Sequence, residues 1–242
     1  MLYTSIENSK IKEIKKLNNR KYRDSSGLFL VEGQHLVEEA YKHGYIEELI
    51  LVEQETTDWD LPVSYVSENV LKYLSELENP PPIMAVCRKR GDLKELGNRI
   101  IIIDGIQDPG NLGTIIRSAV AFNISSIILS YDTVDLYNQK VIRASQGMLF
   151  QINIVTSDLL TTINDLKNRD YQILGTSVTD GKSLKKIDKI NKFAIIVGNE
   201  GNGVSDNILA LADWNIYIDM NSDCESLNVG VAASIILYEL DK

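Results

Sequence analysis

The sequence predicts an α/β protein in two parts: a small N-terminal α/β domain over residues 1–95 and a parallel-sheet domain over residues 96–242. Two observations carry this. From Arg99 onward the strands are unbroken apolar runs, IIII at 100–103, SSIIL at 125–129 and FAIIV at 193–197, the pattern of strands covered on both faces. Among them lie stretches 111–122, 137–148, 159–168 and 227–240, with apolar residues at the three- and four-residue spacing of helices that cover a sheet. Such an alternation puts ligands at the carboxyl ends of the strands, where the loops gather.

The N-terminal part reads as a helix over 7–18, a strand over 28–31 and a helix over 34–42. Strands over 46–52 and 63–66, a helix over 68–77 and a strand over 83–88 follow. Gly33 and Gly44 bracket the second helix, and Pro80-Pro81-Pro82 stops the third, because a proline ring carries no N–H to donate. The polar, glycine-containing stretch 89–98 marks the domain boundary.

With 44% apolar and 24% charged residues over 242 positions, the chain is neither disordered nor of low complexity. Cys87 and Cys224, with only His35 and His43 beside them, make neither a disulfide framework nor a zinc cluster, so no metal is expected. No apolar run suits a signal peptide or a membrane span, so the sequence reads as a cytoplasmic protein without a membrane partner.

A net charge of −9 argues against a protein that coats nucleic acid, since phosphate neutralisation supplies most non-specific affinity. The charge is uneven: residues 1–27 carry +4 and the remainder −13. Lys10, Lys12, Lys15, Lys16, Arg20, Lys21 and Arg23 in this arm form either an RNA-binding strip or the solvated face of a helix whose other side buries Ile6, Ile11, Ile14 and Leu17.

Three loops at strand ends carry the chemistry. In DGIQDPGNLGTIIRSA, 104–119, a strand enters a Pro-Gly turn and then a helix for which Asn111 is a good N-cap; Arg117 lies about 120° from it around the helix. Neither GxxxxGK[ST] nor GxGxxG is present, which argues against ATP and NAD. In IVGNEGNGVSD, 196–206, three glycines permit close backbone approach around Asn199 and Glu200; the acid suits a ribose or adenosine ligand and would repel phosphates. In 218–240 a strand and a polar loop lead into a helix rich in small residues, with Ser222 or Ser226 as candidate caps. No Ser/His/Asp or Cys/His constellation is available, so hydrolase chemistry is not expected.

In order and spacing, NLGTIIR (111–117), RASQGMLF (143–150), GNEGNG (198–203) and ESLNVGVAASIILYEL (225–240) resemble the SpoU, or TrmH, family of the SPOUT superfamily. These are RNA ribose 2'-O-methyltransferases that use S-adenosylmethionine. Residues 10–40 are similar to the substrate-binding domain of rRNA-modifying members. The resemblance implies a deep trefoil knot in the C-terminal domain, a homodimer, and structured RNA, foremost 23S rRNA, as substrate. Members dedicated to tRNA usually lack such an N-terminal domain. The other readings are a tRNA ribose methyltransferase and a non-catalytic knotted factor that binds RNA during ribosome assembly.

Carried over by position, the resemblance implies catalytic roles for Asn111, Arg117, Glu200, Ser226 and Asn228. It implies cofactor contacts from Thr176, Ser177, Val178, Val197, Gly198, Asn199, Glu200 and Gly201, then Ile218, Met220, Ser226, Leu227 and Asn228. Arg143 joins the basic arm as an RNA contact. Two positions depart from the family pattern: Gly230 stands where a serine is common and Asp219 where a proline is usual.

Overall fold

The computed structural model describes residues 1–90, 95–178 and 180–242. In chain order the elements begin with β1 (Leu2–Tyr3), α1 (Ser9–Lys16), α2 (Arg20–Ser26), β2 (Leu28–Glu32) and α3 (Gln34–Lys42). There follow β3 (Ile46–Val52), β4 (Val63–Val66), α4 (Glu68–Leu74), β5 (Ile83–Arg88), β6 (Arg99–Ile103), α5 (Pro109–Ala121) and β7 (Ser126–Leu129). Next are α6 (Gln139–Ser145), β8 (Asn153–Thr156), α7 (Leu159–Asn168), β9 (Gln172–Thr176) and β10 (Lys182–Ser183). The chain closes with β11 (Phe193–Val197), α8 (Asp206–Leu209), β12 (Trp214–Tyr217) and α9 (Val229–Leu240).

Two compact units result, the first being Met1–Gly91 with Asp135–Phe150 and the second Asp92–Val134 with Gln151–Lys242. In the first, a five-stranded mixed sheet runs in the order β1-β4-β3-β5-β2. Ile11, Ile14 and Leu17 of the basic arm pack into its core with Leu30, Ile50 and Met84, so the amphipathic reading of α1 holds. The arm is not one helix running to 18. Asn8 caps α1, whereas Asn19 accepts from the Lys21 N–H and starts a second helix, α2, which ends at Gly27 in the left-handed region (φ +68°). Likewise α4 stops at Leu74 rather than 77, because the Ser75 hydroxyl donates to the buried carboxylate of Glu32 at 2.5 Å.

Residues 135–150, which the sequence reading assigned to the second domain, belong by packing to the first unit. Aromatic side chains account for this: the Tyr137 ring lies 4.4 Å from that of Phe29, and the Phe150 ring 4.9 Å from that of Tyr45. The Gln139 amide donates to the Leu30 carbonyl at 2.6 Å. Gly147 (φ +81°) lies so close to α3 that a Cβ there would come within 2.7 Å of Glu39 Cγ. The expected helix over 137–148 is accordingly the shorter α6, followed by a 3-10 turn at Met148–Phe150.

The second unit holds a seven-stranded sheet in the order β10-β12-β9-β11-β6-β7-β8. Every strand pair in it is parallel, as the apolar runs predicted. Ile100 to Ile103 of β6 are fully buried, and each contributes about 1.5–3 kcal/mol by leaving water. The strand expected at 218 ends earlier, at Tyr217, leaving Ile218 to Asn228 as loop. No helix among the described residues is long and apolar enough to cross a membrane.

Candidate active site

The carboxyl ends of β9, β11 and β12 open into a cleft of about 540 Å³ in the second unit. Thr176, Ser177 and Val178 line it after β9, and Gly198, Asn199, Glu200 and Gly201 after β11. Ile218, Met220, Ser226 and Leu227 line it after β12. Eleven of the thirteen residues that the resemblance assigned to the cofactor thus share one cavity. The other two lie beside it: Val197 is buried at the end of β11, and Asn228 heads α9.

The β11 loop folds tightly on itself. Asn199 and Gly203 exchange backbone hydrogen bonds of 2.9 and 3.0 Å, and Asn199 Oδ1 accepts from the N–H groups of Gly201 and Asn202. Gly198 is required by this fold, since a Cβ there would sit 2.1 Å from the carbonyl carbon of Gly203 and the nitrogen of Val204. The Asn199 amide also donates to the Gly105 carbonyl at 2.8 Å, and Asp104 accepts from the N–H and hydroxyl of Ser205. Loops separated by almost 100 residues are tied together by these bonds.

Glu200 is the centre of a second network. Its carboxylate accepts from the N–H groups of Gln107 (3.1 Å) and Asp108 (2.9 Å) and from the Asn111 amide (3.0 Å). Asn111 Oδ1 in turn accepts from the Asn228 amide at 2.8 Å. Burial opposes the charged carboxyl. Hydrogen bonds from the Asn111 amide and the N–H groups of Asp108, Glu200 itself and Gln107 outweigh it and hold Glu200 below the usual carboxylate range.

The caps of α5 and α9 both fall on residues other than the ones expected. Asp108, rather than Asn111, caps α5 by accepting the Asn111 N–H at 2.9 Å, and this leaves the Asn111 side chain free to bridge Glu200 and Asn228. Neither Ser222 nor Ser226 caps α9; Asn228 does, accepting from the N–H groups of Gly230 and Val231. One amide therefore starts the helix with its oxygen and joins the site with its nitrogen. Arg117 lies outside this network, two-thirds of a turn past one full turn from Asn111, exposed and without a hydrogen bond or ion pair among the described residues.

The two departures from the family pattern have structural accounts. A Cβ on Gly230 would lie 3.2 Å from Thr114 Cβ and Cγ2, so glycine lets α9 approach α5, where Ser118 and Ser234 hydroxyls meet at 2.6 Å. Asp219 accepts from the Ser183 hydroxyl at 2.5 Å, which ties the loop after β12 to the edge strand β10.

The basic strip is narrower than its charge count. Arg23, expected among the RNA contacts, is only 4% exposed, and its guanidinium donates to Asp135 and to the Leu17 carbonyl within the first unit. Lys10 pairs with Glu48, Lys12 with Glu7 and Arg20 with Asp24, while Lys15 reaches the carbonyls that end α4. Arg143 is half-buried, with Nη1 unpaired among the described residues. Lys16 and Lys21 are exposed and make no ion pair among the described residues.

Sequence reasoning missed the cap Asp108, the backbone donor Gln107 and the apolar walls Leu209, Ile216 and Ile236. The walls had a signal in principle: each lies within a turn or two of a loop that was singled out. Among the described residues, no group of three or more His, Cys, Asp and Glu could hold a metal ion.

Residues 98–238, more than half of the chain, match the SpoU rRNA Methylase family. The chain belongs to that family. Residues 8–85 match the MRM3-like substrate binding domain. A curated relative, the 23S rRNA (guanosine(2553)-2'-O)-methyltransferase RlmP of Bacillus subtilis, is 39% identical over 241 residues, 98% of this chain and 97% of that protein. The AdoMet-bound rRNA methyltransferase of Sinorhizobium meliloti superposes with a TM-score of 0.89 at 29% identity, covering 99% of this chain and 97% of that one. The SpoU methyltransferase AviRb of Streptomyces viridochromogenes, in complex with AdoMet, gives 0.86 at 27% identity over 97% of both chains. As in other SpoU proteins, S-adenosylmethionine is the cofactor that goes with this fold.

The cleft suits that molecule. Its volume is in the range of small-molecule sites, its walls combine apolar side chains such as Leu209, Ile216 and Ile236 with polar ones such as Thr176, Asn199 and Glu200, and the glycine-lined β11 turn presents backbone where side chains would fill the space.

Proposed function

We propose that this SpoU protein transfers a methyl group from S-adenosylmethionine to a ribose 2'-hydroxyl of 23S rRNA, in the cytoplasm. The observation that carries this reading is the Glu200–Asn111–Asn228 network beside a cleft lined by the residues assigned to the cofactor, in a chain matched end to end by a 23S rRNA 2'-O-methyltransferase. The guanosine named for that relative is the first nucleotide to map.

When bound, S-adenosylmethionine supplies a methyl on a positively charged sulfur. The protein's part is position and charge. Thr176–Val178, 197–201, Ile218, Met220 and 226–228 hold the cofactor, and the hydrogen bonds from the Asn111 amide to Glu200 and from the Asn228 amide to Asn111 keep the three loops in register. Arg117 is a poor base, because a guanidinium keeps its proton at any working pH. Its role is to bind a phosphate next to the target ribose and to stabilise negative charge on the 2'-oxygen as that hydroxyl gives up its proton to water and takes the methyl. Ser226, whose hydroxyl makes no hydrogen bond among the described residues, is a further polar contact at the cleft mouth.

The reading includes the knotted passage of the chain and a homodimer. In support of the dimer, α9 exposes Val231 (47%), Ile235 (36%) and Tyr238 (64%) at i, i+4 and i+7, an apolar stripe that a second copy would cover about a two-fold axis. Ile235→Glu is expected to shift sedimentation from dimer to monomer; a monomeric wild-type chain would refute this assignment.

The test of function is transfer of labelled methyl to total RNA from a strain without this gene, followed by mapping of alkali-resistant 2'-O-methyl linkages. Label in 23S rRNA is expected, falling about a hundredfold or more with Arg117→Ala, while S-adenosylmethionine affinity by calorimetry changes less than about twofold. Equal loss of both would end the division of labour between Arg117 and the cleft. No label in any RNA or ribosomal particle would end the methyltransferase reading.

A further inference from the structure

The first unit contains a groove that the reaction does not use. It lies between α1 and α2, has a volume of about 360 Å³, and is floored by Ile14, Leu17, Leu28 and Val86. Tyr22 forms one wall and is 41% exposed, although an aromatic ring of this size is normally mostly buried. Lys16 Nζ stands 5.5 Å from the centre of that ring and also lines the groove.

The polar groups around it have a consistent sense. The Ser25 and Ser26 hydroxyls, both on the groove's lining, donate to the Tyr22 carbonyl at 3.2 and 2.7 Å; the Ser26 oxygen also accepts from the Leu28 N–H, and the Ser25 oxygen keeps its acceptor capacity. Glu48 is held by Lys10 and Ser64, and Glu13 is an exposed carboxylate on the same wall. Once the Lys10–Glu48 pair is set aside, the groove offers an exposed aromatic ring, a lysine that lies over one face of it without an acidic partner among the described residues, and oxygen acceptors.

The cavity is within the range that holds a small organic group. An apolar floor with an aromatic wall suits a flat ring. A lysine at the rim suits a phosphate attached to that ring. The acceptors suit a ring with an exocyclic amino group, which offers two N–H donors at one edge.

We propose that this groove takes one unpaired RNA base bearing an exocyclic amino group, stacked on Tyr22, with its adjoining phosphate on Lys16. The proposal rests on the reading of the substrate as RNA and specifies where an unpaired part of it docks, since single-stranded bases are recognised by stacking on aromatic side chains and by their edges. It also explains why an arm whose other cations are mostly paired keeps Lys16 free of acidic partners.

The test measures binding of labelled single-stranded oligoadenylate and oligouridylate, of equal length, to the full chain by fluorescence anisotropy. Tyr22→Ala is expected to weaken oligoadenylate binding about tenfold, while Tyr22→Phe, which keeps the stacking face, stays within about twofold. Oligouridylate is expected to bind more weakly than oligoadenylate, because uracil lacks the amino group. Lys16→Gln should flatten the salt dependence. Unchanged affinity in Tyr22→Ala, or equal affinity for the two oligonucleotides, would overturn the proposal. Tyr22 is exposed, so its variants keep the core, and unchanged S-adenosylmethionine binding by calorimetry checks this. A wild-type chain that methylates 23S rRNA while Tyr22→Ala binds oligoadenylate normally loses the groove alone; one that methylates no RNA loses the proposed function alone.

Discussion

Polar side chains are used differently in the cleft and in the basic arm. In the cleft they bond to one another across long stretches of sequence: Asn111 to Glu200, Asn228 to Asn111, Asn199 to the Gly105 carbonyl. In the arm most pair off with an acid or carbonyl of the same unit, as Lys10 does with Glu48 and Arg23 with Asp135. Bracing in the cleft preserves a shape for a ligand, whereas pairing in the arm removes charge that a sequence count treats as available. The number of lysines is therefore a poor guide to an RNA footprint, and a hydrogen-bond network between loops is a better guide to a site.

The largest effect that would sharpen this contrast is at Arg23. Its side chain is 5% exposed and that of Asp135 12%, so Arg23→Ala strands a carboxylate and is expected to cost about 3–5 kcal/mol in urea unfolding. Replacing both partners with apolar residues should recover most of the loss. If Arg23→Ala instead weakened RNA binding at unchanged stability, Arg23 would rejoin the RNA strip.

Next in size is Gly198→Ala. With a Cβ 2.1 Å from backbone atoms, the β11 turn must open, and S-adenosylmethionine affinity is expected to fall about tenfold or more while the sheet melts near its wild-type temperature. Wild-type affinity would show that the turn does not shape the cofactor cleft.

The smallest effect concerns Glu200 and pH. Because its folded pKa is depressed below the ordinary value of 4.5, its contribution to the cleft is complete above that value and is lost as pH falls through the lower folded value. Cofactor affinity should thus hold from neutral pH down to about 5 and decline only below the ordinary carboxylate range. Glu200→Gln should remove this acid-side decline. A decline that begins near neutrality would point to a different titrating group.

Much of this was visible in the residues themselves. The buried parallel strands announced themselves as isoleucine runs at 100–103 and 193–197, and the glycines of the β11 turn marked a loop that closes on itself. What stayed hidden depends on contacts between distant residues. Nothing local to Asn111 says that Asp108 will take over its capping role, and nothing local to Asn228 says that its amide will reach α5. α2 was overlooked because its seven residues lack an apolar stripe and it is defined instead by its ends, Asn19 and Gly27. The placement of 135–150 turned on which aromatic partners Tyr137 and Phe150 would find, which periodicity does not encode.

That last feature bears on how the chain matures at the ribosome. The first unit is assembled from two separate stretches, so its N-terminal ninety-odd residues leave the exit tunnel without the rings of Tyr137 and Phe150. At synthesis rates of about 5–20 residues per second, the missing piece arrives several seconds later. During that interval Phe29 and Tyr45 have each other, with ring centres 6.5 Å apart, but neither Tyr137 nor Phe150. The core of Ile11, Leu30, Ile50 and Met84 is thus complete within the N-terminal stretch, whereas the aromatic cluster around Phe29 is completed only once residues 135–150 have been made.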